Sequence, residues 1–156
     1  MDGVLPSLAY SNSSDNPPAS VQINWTFSDG NSGAQGAGGV LSVVGSTTVT
    51  INGINDPPIA QNDGAMTDED TLKLIDVLGN DTDVDGGSLS VLGLSATALG
   101  ATVSIVDGQV QYDPTSSAAL DALGPGSMSF DSFSYTITDG LGGTATALVT
   151  VNVLGL

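Results

Sequence analysis

Asp131-Ser132-Phe133-Ser134-Tyr135-Thr136-Ile137-Thr138-Asp139-Gly140 decides the fold of this chain. Phe133, Tyr135 and Ile137 alternate with Ser and Thr, the period-two pattern of a strand with one face in a core. The Asp-Gly pair then breaks the pattern with a turn. The same arrangement occurs earlier, as Trp25-Thr26-Phe27-Ser28-Asp29-Gly30. Val49-Thr50-Ile51-Asn52 and Val149-Thr150-Val151-Asn152 follow the two turns, so each copy reads as a hairpin. The first has a longer Gly-rich loop, 31–39. A strand pair that occurs twice marks an internal repeat. Residues 1–54 read as the C-terminal part of one repeat and 59–156 as a complete one. Asn55-Asp56-Pro57-Pro58 is the linker, stiffened by two prolines that cannot donate to a ladder.

Turn signals cut the second repeat into strands at 59–67, 71–77, 88–94, 101–106, 109–113, 131–138 and 144–153. Asp107-Gly108 has the form of a tight hairpin turn. Seven short strands in about 98 residues predict an all-β, immunoglobulin-like antiparallel sandwich. Composition agrees, with 21 Gly, abundant Ser, Thr and Val, and few good helix formers. A hydrophobic fraction of 40% suffices for one sandwich core. Leu148, Val149 and Val151 are expected in that core, as are most aromatic side chains. Strands running alternately up and down put loop 78–87, turn 107–108 and hairpin 139–143 at the pole where the linker enters. Loop 68–70 and segment 114–130 fall at the opposite pole.

Seventeen acidic residues face one basic side chain, Lys73, giving a formal charge of −16. Nucleic acid is therefore excluded as a partner, because a polyanion needs cations to meet it. No stretch reaches the ~18 apolar residues that would cross a bilayer, and no signal peptide is visible, so membrane insertion is not expected. With no His and no Cys, the usual bases and nucleophiles are missing. A glycosidase would need two carboxylates across a cleft, whereas the acids here sit in turns. The chain reads as no enzyme.

Asp81-Thr82-Asp83-Val84-Asp85-Gly86 is a D-x-D-x-D-G run, an oxygen-rich loop with a glycine for a sharp turn. Hard carboxylate oxygens at alternate positions suit Ca2+. An EF-hand is excluded, because position 12 from Asp81 is Leu92 rather than Glu and the flank alternates like a strand. Asp81, Asp83 and Asp85 are the first candidate ligands. Asp56 of the linker, Asp139 of the hairpin and Asp15 of the first repeat are predicted to join them in one calcium-bearing junction. Glu69, in Asp68-Glu69-Asp70, is a candidate for a second cation site at the other pole. Weak calcium sites fill at extracellular concentrations, which points to an extracellular location.

Four stretches carry a family resemblance: Ile54-Asn55-Asp56-Pro57-Pro58-Ile59-Ala60, Thr67-Asp68-Glu69-Asp70-Thr71, Val77-Leu78-Gly79-Asn80 with the acidic run that follows, and 131–140. Together they resemble bacterial cadherin-like and VCBS-type tandem repeats of large secreted adhesins of the RTX type. The resemblance implies an Ig-like sandwich, calcium at loops and linkers, a bacterial cell-surface location and a spacer or adhesive role. Its partners would be neighbouring repeats of the same chain. The first repeat departs from the pattern in lacking its opening strands. Carbohydrate binding, to cell-surface glycans or matrix, is the alternative and would have to use Trp25, Tyr10, Tyr112, Tyr135 or a Phe.

Overall fold

The strand built on Phe133, Tyr135 and Ile137 becomes the centre of a sandwich. A computed structural model describes residues 10–28 and 42–156. The chain divides into two compact units, Met1–Ile54 and Asn55–Leu156. Leu8-Ala9, Asp29-Gly30 and loop 31–39 lie outside the described residues. The unit boundary assigns linker 55–58 to the second unit, and Pro58 is buried there.

The first unit contributes β1 (Ser20–Ser28) and β2 (Ser42–Thr50), paired antiparallel as a two-stranded sheet. Val21, Ile23, Trp25 and Phe27 share one face of β1, since alternate side chains project to the same side. Trp25 lies opposite Gly45. A Cβ on Gly45 would stand within 2.2 Å of the indole, so a residue without a side chain is what lets the ring lie across the neighbouring strand.

The second unit has seven strands: β3 (Asp63–Asp68), β4 (Lys73–Ile75), β5 (Ser90–Leu94), β6 (Thr102–Val106), β7 (Gln109–Asp113), β8 (Met128–Thr138) and β9 (Thr144–Leu154). They form two sheets, β3-β9-β8-β5 and β4-β7-β6. Most neighbours are antiparallel, as the sequence predicts, but β3 pairs parallel to β9. Both of those strands run away from the pole where the linker enters, so side by side they must be parallel.

β3 is shorter than the expected 59–67. The prolines before it lack an N–H, Ile59 instead bridges Thr82, and Asn62 Oδ1 accepts the Leu148 N–H. β8 is longer than expected, beginning at Met128. Asp107 (φ 49°) and Gly108 (φ 83°) make the tight turn between β6 and β7 that their sequence required.

The core lies between the sheets. Val77, Val110, Tyr112, Leu120, Tyr135, Ile137, Val149, Val151 and Val153 are fully buried, with Phe133 nearly so. Leu148 is a correction: it sits out of phase with Val149 and Val151 and faces solvent.

Segment 114–130 holds a 3-10 turn, Pro114–Ser116, that the Asp113 side chain caps. Beside it Asp131 is fully buried. Its carboxylate accepts the Tyr112 hydroxyl at 2.8 Å and the backbone N–H groups of Leu99 and Ser132, each at 2.8 Å. Burial, followed by the hydrogen bond to and charge of Asp131, holds the Tyr112 hydroxyl well above its usual pKa. Asp131 thus joins the two sheets and the 95–101 loop through one side chain. Asp131→Ala leaves the Leu99 N–H and the Tyr112 hydroxyl without a partner and should cost about 3 kcal/mol. Asp131→Asn keeps one acceptor and should cost about 1 kcal/mol. Urea unfolding of the full chain, followed by circular dichroism, measures both.

Candidate functional site

At the entry pole the acidic loop is tied to the incoming chain by hydrogen bonds. Asp56 N donates to Asp85 Oδ2 at 2.7 Å, and Asp85 N donates to Asp83 Oδ1 at 2.8 Å. Gln61 N donates to Asp81 Oδ1 at 2.8 Å. Ile59 and Thr82 exchange backbone hydrogen bonds at 2.8 and 3.1 Å. Gly86 turns the loop at φ 75°, the conformation for which a glycine is needed there. The strand polarity read from the sequence therefore places loop 78–87 and hairpin 139–143 correctly beside the linker.

Each acid of the D-x-D-x-D-G run has a separate task. Asp81 points inward, its oxygens 3.1 and 3.2 Å from the Tyr135 hydroxyl. Asp83 folds over its own loop, and its Oδ2 is buried with no hydrogen-bond partner. Asp85 reaches back to the linker. Among the described residues no group of three or more acidic side chains is disposed to hold a metal ion, so the run is not a preformed three-carboxylate cup. The donor chemistry nevertheless suits a hard cation. A Cβ built on Gly87 would lie 3.7 Å from Asp83 Oδ2, 3.8 Å from the Asp139 carbonyl oxygen and 3.9 Å from Asp139 Cβ, so both oxygens lie beside Gly87. Calcium accepts carbonyl oxygens and water alongside one or two carboxylates, so the donors present fit it.

Asp139 is occupied otherwise. Its Oδ1 accepts the N–H groups of Leu141, Gly142 and Gly143 at 2.8, 3.0 and 2.9 Å. Oδ2 takes the Asn55 side-chain amide at 2.8 Å and Gly143 N at 3.1 Å. The Asn55 amide, with the turn's N–H groups behind it, lowers the pKa of Asp139 below the usual carboxylate value. Gly143 is held close: a Cβ there would lie 2.2 Å from Asp139 Oδ2 and 2.9 Å from Pro57 Cα. Asp139 locks the hairpin onto the linker with its side chain and leaves its backbone oxygen beside Gly87.

Glu69 is not in a solvated loop, as its sequence neighbours suggested. It is 8% exposed; its N–H donates to the Leu154 carbonyl and its Oε1 accepts Leu156 N at 3.1 Å. It fastens the end of β9 at the far pole. Asp15 is exposed in the first unit. The structure thus brings Asp56, Asp81, Asp83, Asp85 and Asp139 to one pole, puts Glu69 at the other and leaves Asp15 in a separate unit.

Two residues of this pole were not expected from sequence. Tyr135 Oη lies 2.7 Å from the Gln61 carbonyl and 3.0 Å from the Val77 carbonyl, in addition to the Asp81 carboxylate. One phenolic proton faces four acceptor oxygens. Burial, then the hydrogen bonds and charges of Asp63 and Asp81, drive the Tyr135 pKa far above its usual value. Asp63 stands next to this group, with Oδ1 taking the Asn80 amide at 3.1 Å and Oδ2 buried and unpartnered. Burial raises the Asp63 pKa, and the charges of Asp81 and Asp76 add to the rise. The Tyr135 hydroxyl and the Asn80 amide oppose it. A signal existed: Asp63 shares strand parity with Ala65 and Thr67, which places an acid on the inward face.

Of the aromatic residues a glycan site would use, Tyr112, Tyr135 and Phe133 are in the core, while Tyr10 and Phe130 are exposed and Trp25 is partly covered.

The two perturbed acids give opposite pH signatures. Asp139, with its folded pKa lowered, contributes stability that is present above 3.8 and lost as pH falls through the lower folded value. Asp63, with its folded pKa raised, is favourable only while protonated, so stability is lost as pH rises through its folded value. In EDTA, Asp63→Asn should therefore raise the melting temperature at pH 7 and leave it nearly unchanged below pH 3. Asp139→Asn should lower it at pH 7 and flatten the acid limb. Calorimetric melting across pH 2–7 checks both signs.

No curated protein matches the chain. A family model described as Bacterial Ig domain matches residues 55–152, from the linker to within two residues of the end of β9. Such domains are structural or adhesion-type modules, typically non-catalytic and commonly extracellular or on the cell surface. No helix among the described residues is long and apolar enough to cross a membrane. By its fold, its strand pattern and this match, the chain belongs to the bacterial Ig domain family.

Proposed function

We propose that this chain is a calcium-stiffened extender of a bacterial surface or secreted adhesin, of the cadherin-like tandem-repeat type. The observation that carries the reading is the tie between the acidic loop and the entering chain, Asp85 to Asp56 N and Asp139 to Asn55. The loop richest in carboxylates is bonded to the segment through which the preceding repeat would pull. A cation at that place fixes the linker direction as well as the loop.

Charge supports the same conclusion. Asp56, Asp63, Asp76, Asp81, Asp83, Asp85, Asp107 and Asp139 fall at the entry end, whereas the only basic side chain, Lys73, begins β4 at the far end. Two carboxylates about 5 Å apart repel by roughly 0.8 kcal/mol in water and by more where water is excluded. Asp83 and Asp85, with Asp56 beside them and the Asp139 carbonyl beside Gly87, would hold the ion. Calcium would supply positive charge to this crowd and a partner for Asp83 Oδ2, which accepts no hydrogen bond.

The strand directions suit a spacer. The chain enters the second unit at one pole and β9 ends at the other. Eleven residues of β9 at about 3.4 Å each make a module on the order of 37 Å long. Neighbouring repeats of the same chain are the partners this geometry serves.

Calcium at a hundredfold excess over its Kd should add about 2.7 kcal/mol to the native state. Calorimetry should show the transition of the second unit rising by several degrees with calcium and falling back with EDTA. Asp83→Ala combined with Asp85→Ala should remove most of the rise. Equal melting of calcium-loaded and EDTA-treated protein would sink the proposal.

A further inference from the structure

The outer face of the β3-β9-β8-β5 sheet carries the one exposed aromatic side chain of the second unit. Phe130 is 65% exposed, whereas Tyr112, Phe133 and Tyr135 are buried. It lies on β8, an inner strand of the sheet, in phase with Ser132 and out of phase with the buried Asp131. The register sets it in a row: Phe130 is opposite Asn152, and Asn152 is opposite Met66, which is 61% exposed. Ser132, Thr150 and Gly64 make the next row. Strands lie about 4.8 Å apart, so each row spans about 10 Å. A Cβ on Gly64 would meet nothing within 4 Å, which leaves the second row open beside the row that holds Phe130. Polar groups on the two halves of this face differ. Toward the entry pole Thr136 and Thr146 share a hydrogen bond at 3.0 Å, and Thr138 Oγ1 donates to the Gly143 carbonyl at 3.1 Å. Around Phe130, the Asn152 amide and the Thr150 and Ser132 hydroxyls have no hydrogen-bond partner among the described residues.

We infer that this face binds a neutral glycan, with a hexopyranose ring stacked on Phe130 and its hydroxyls bonded to Asn152, Thr150 and Ser132. A sugar ring has an apolar C–H face and a rim of hydroxyls that both donate and accept. The negative face of the Phe130 ring attracts the C–H groups. The Asn152 amide offers two donors and an acceptor, and the two hydroxyls rotate to suit either role. An apolar protein surface laid over the same rows would cover these three polar groups and leave them without partners, which is costly. A glycan supplies the partners. Charge narrows the class: no residue of the two rows is charged, and a chain carrying −16 repels uronic and sialic acids. On this reading the repeat attaches to glycan as well as spacing the chain, and it does so independently of the acidic loop.

The test is a titration of the isotope-labelled full chain, in calcium-containing buffer, with cellohexaose, maltohexaose and mannohexaose, and with hexagalacturonate as the anionic comparison. At least one neutral sugar should shift the amides of 64–66, 128–132 and 150–152 saturably, and the uronate should not. Phe130→Ala should weaken binding about tenfold and Asn152→Ala about fivefold. Phe130→Tyr keeps the ring and should retain binding, which separates loss of stacking from loss of fold. Leu92→Ala, at an exposed apolar position on β5, should bind like the parent. Absence of a saturable shift at this face with every neutral sugar overturns the inference. So does binding that survives Phe130→Ala, or equal binding of the uronate. Concentration-dependent broadening of the Met66 and Phe130 amides that no sugar relieves would mark a protein-contact surface and overturn it as well.

Discussion

The hydroxyl of Tyr135 is the point on which the entry pole of the second unit depends. It brings four oxygens from three places within about 3.2 Å: the segment before β3, the stretch just after β4 and the acidic loop. A phenol has one proton to donate, so these oxygens cannot all be satisfied together. The aromatic body is fixed by the core, where Tyr135 is fully buried and lies opposite Ala147. The position of the hydroxyl is therefore not negotiable, and the acids arrange themselves around it. Asp81 turns inward to reach it, which removes Asp81 from any cup with Asp83 and Asp85. That one displacement explains why a D-x-D-x-D-G run does not close on itself.

What remains after this arrangement is a surplus of acceptors. Asp63 Oδ2 and Asp83 Oδ2 are buried and unpartnered at the same pole. A buried acceptor without a donor costs about 1–3 kcal/mol, more when charged. Proteins seldom keep such groups unless something compensates for them. At the far pole Asp131 has three donors and Glu69 Oε1 receives the Leu156 N–H, while Glu69 Oε2 is buried without a partner. The entry pole thus carries two such oxygens among the described residues and the far pole one.

Much of the fold was legible in the sequence because period-two alternation and Asp-Gly turns act locally. Residues 109–113 and the β6–β7 turn came out as read, and alternating strand direction sufficed to place the acidic loops. Strand ends were harder to read where a side chain takes over a ladder position, as Asn62 does before β3. The parallel pairing of β3 with β9 depends on which edge a strand joins, and no local pattern encodes that. The candidate site was legible as a collection of residues but not as a geometry. Asp81, Asp83 and Asp85 are alternate in sequence, yet Tyr135, more than fifty residues away, decides where the first of them points. Asp131, read as the start of a strand, and Glu69, read in a loop, proved to be buried fastenings, because burial is a property of the packed sandwich.

The most direct test of the central claim is a calcium titration of the isotope-labelled full chain, followed residue by residue in 1H–15N correlation spectra. If the surplus of acceptors at the entry pole is what calcium answers, shifts should concentrate at Asp56, at 83–87 and at 139–143. The amides of Leu99 and Ser132, bonded to Asp131 at the other end of the core, should stay in place. A spectrum that does not respond to calcium, or one whose shifts centre on Glu69 and the end of β9, would contradict it.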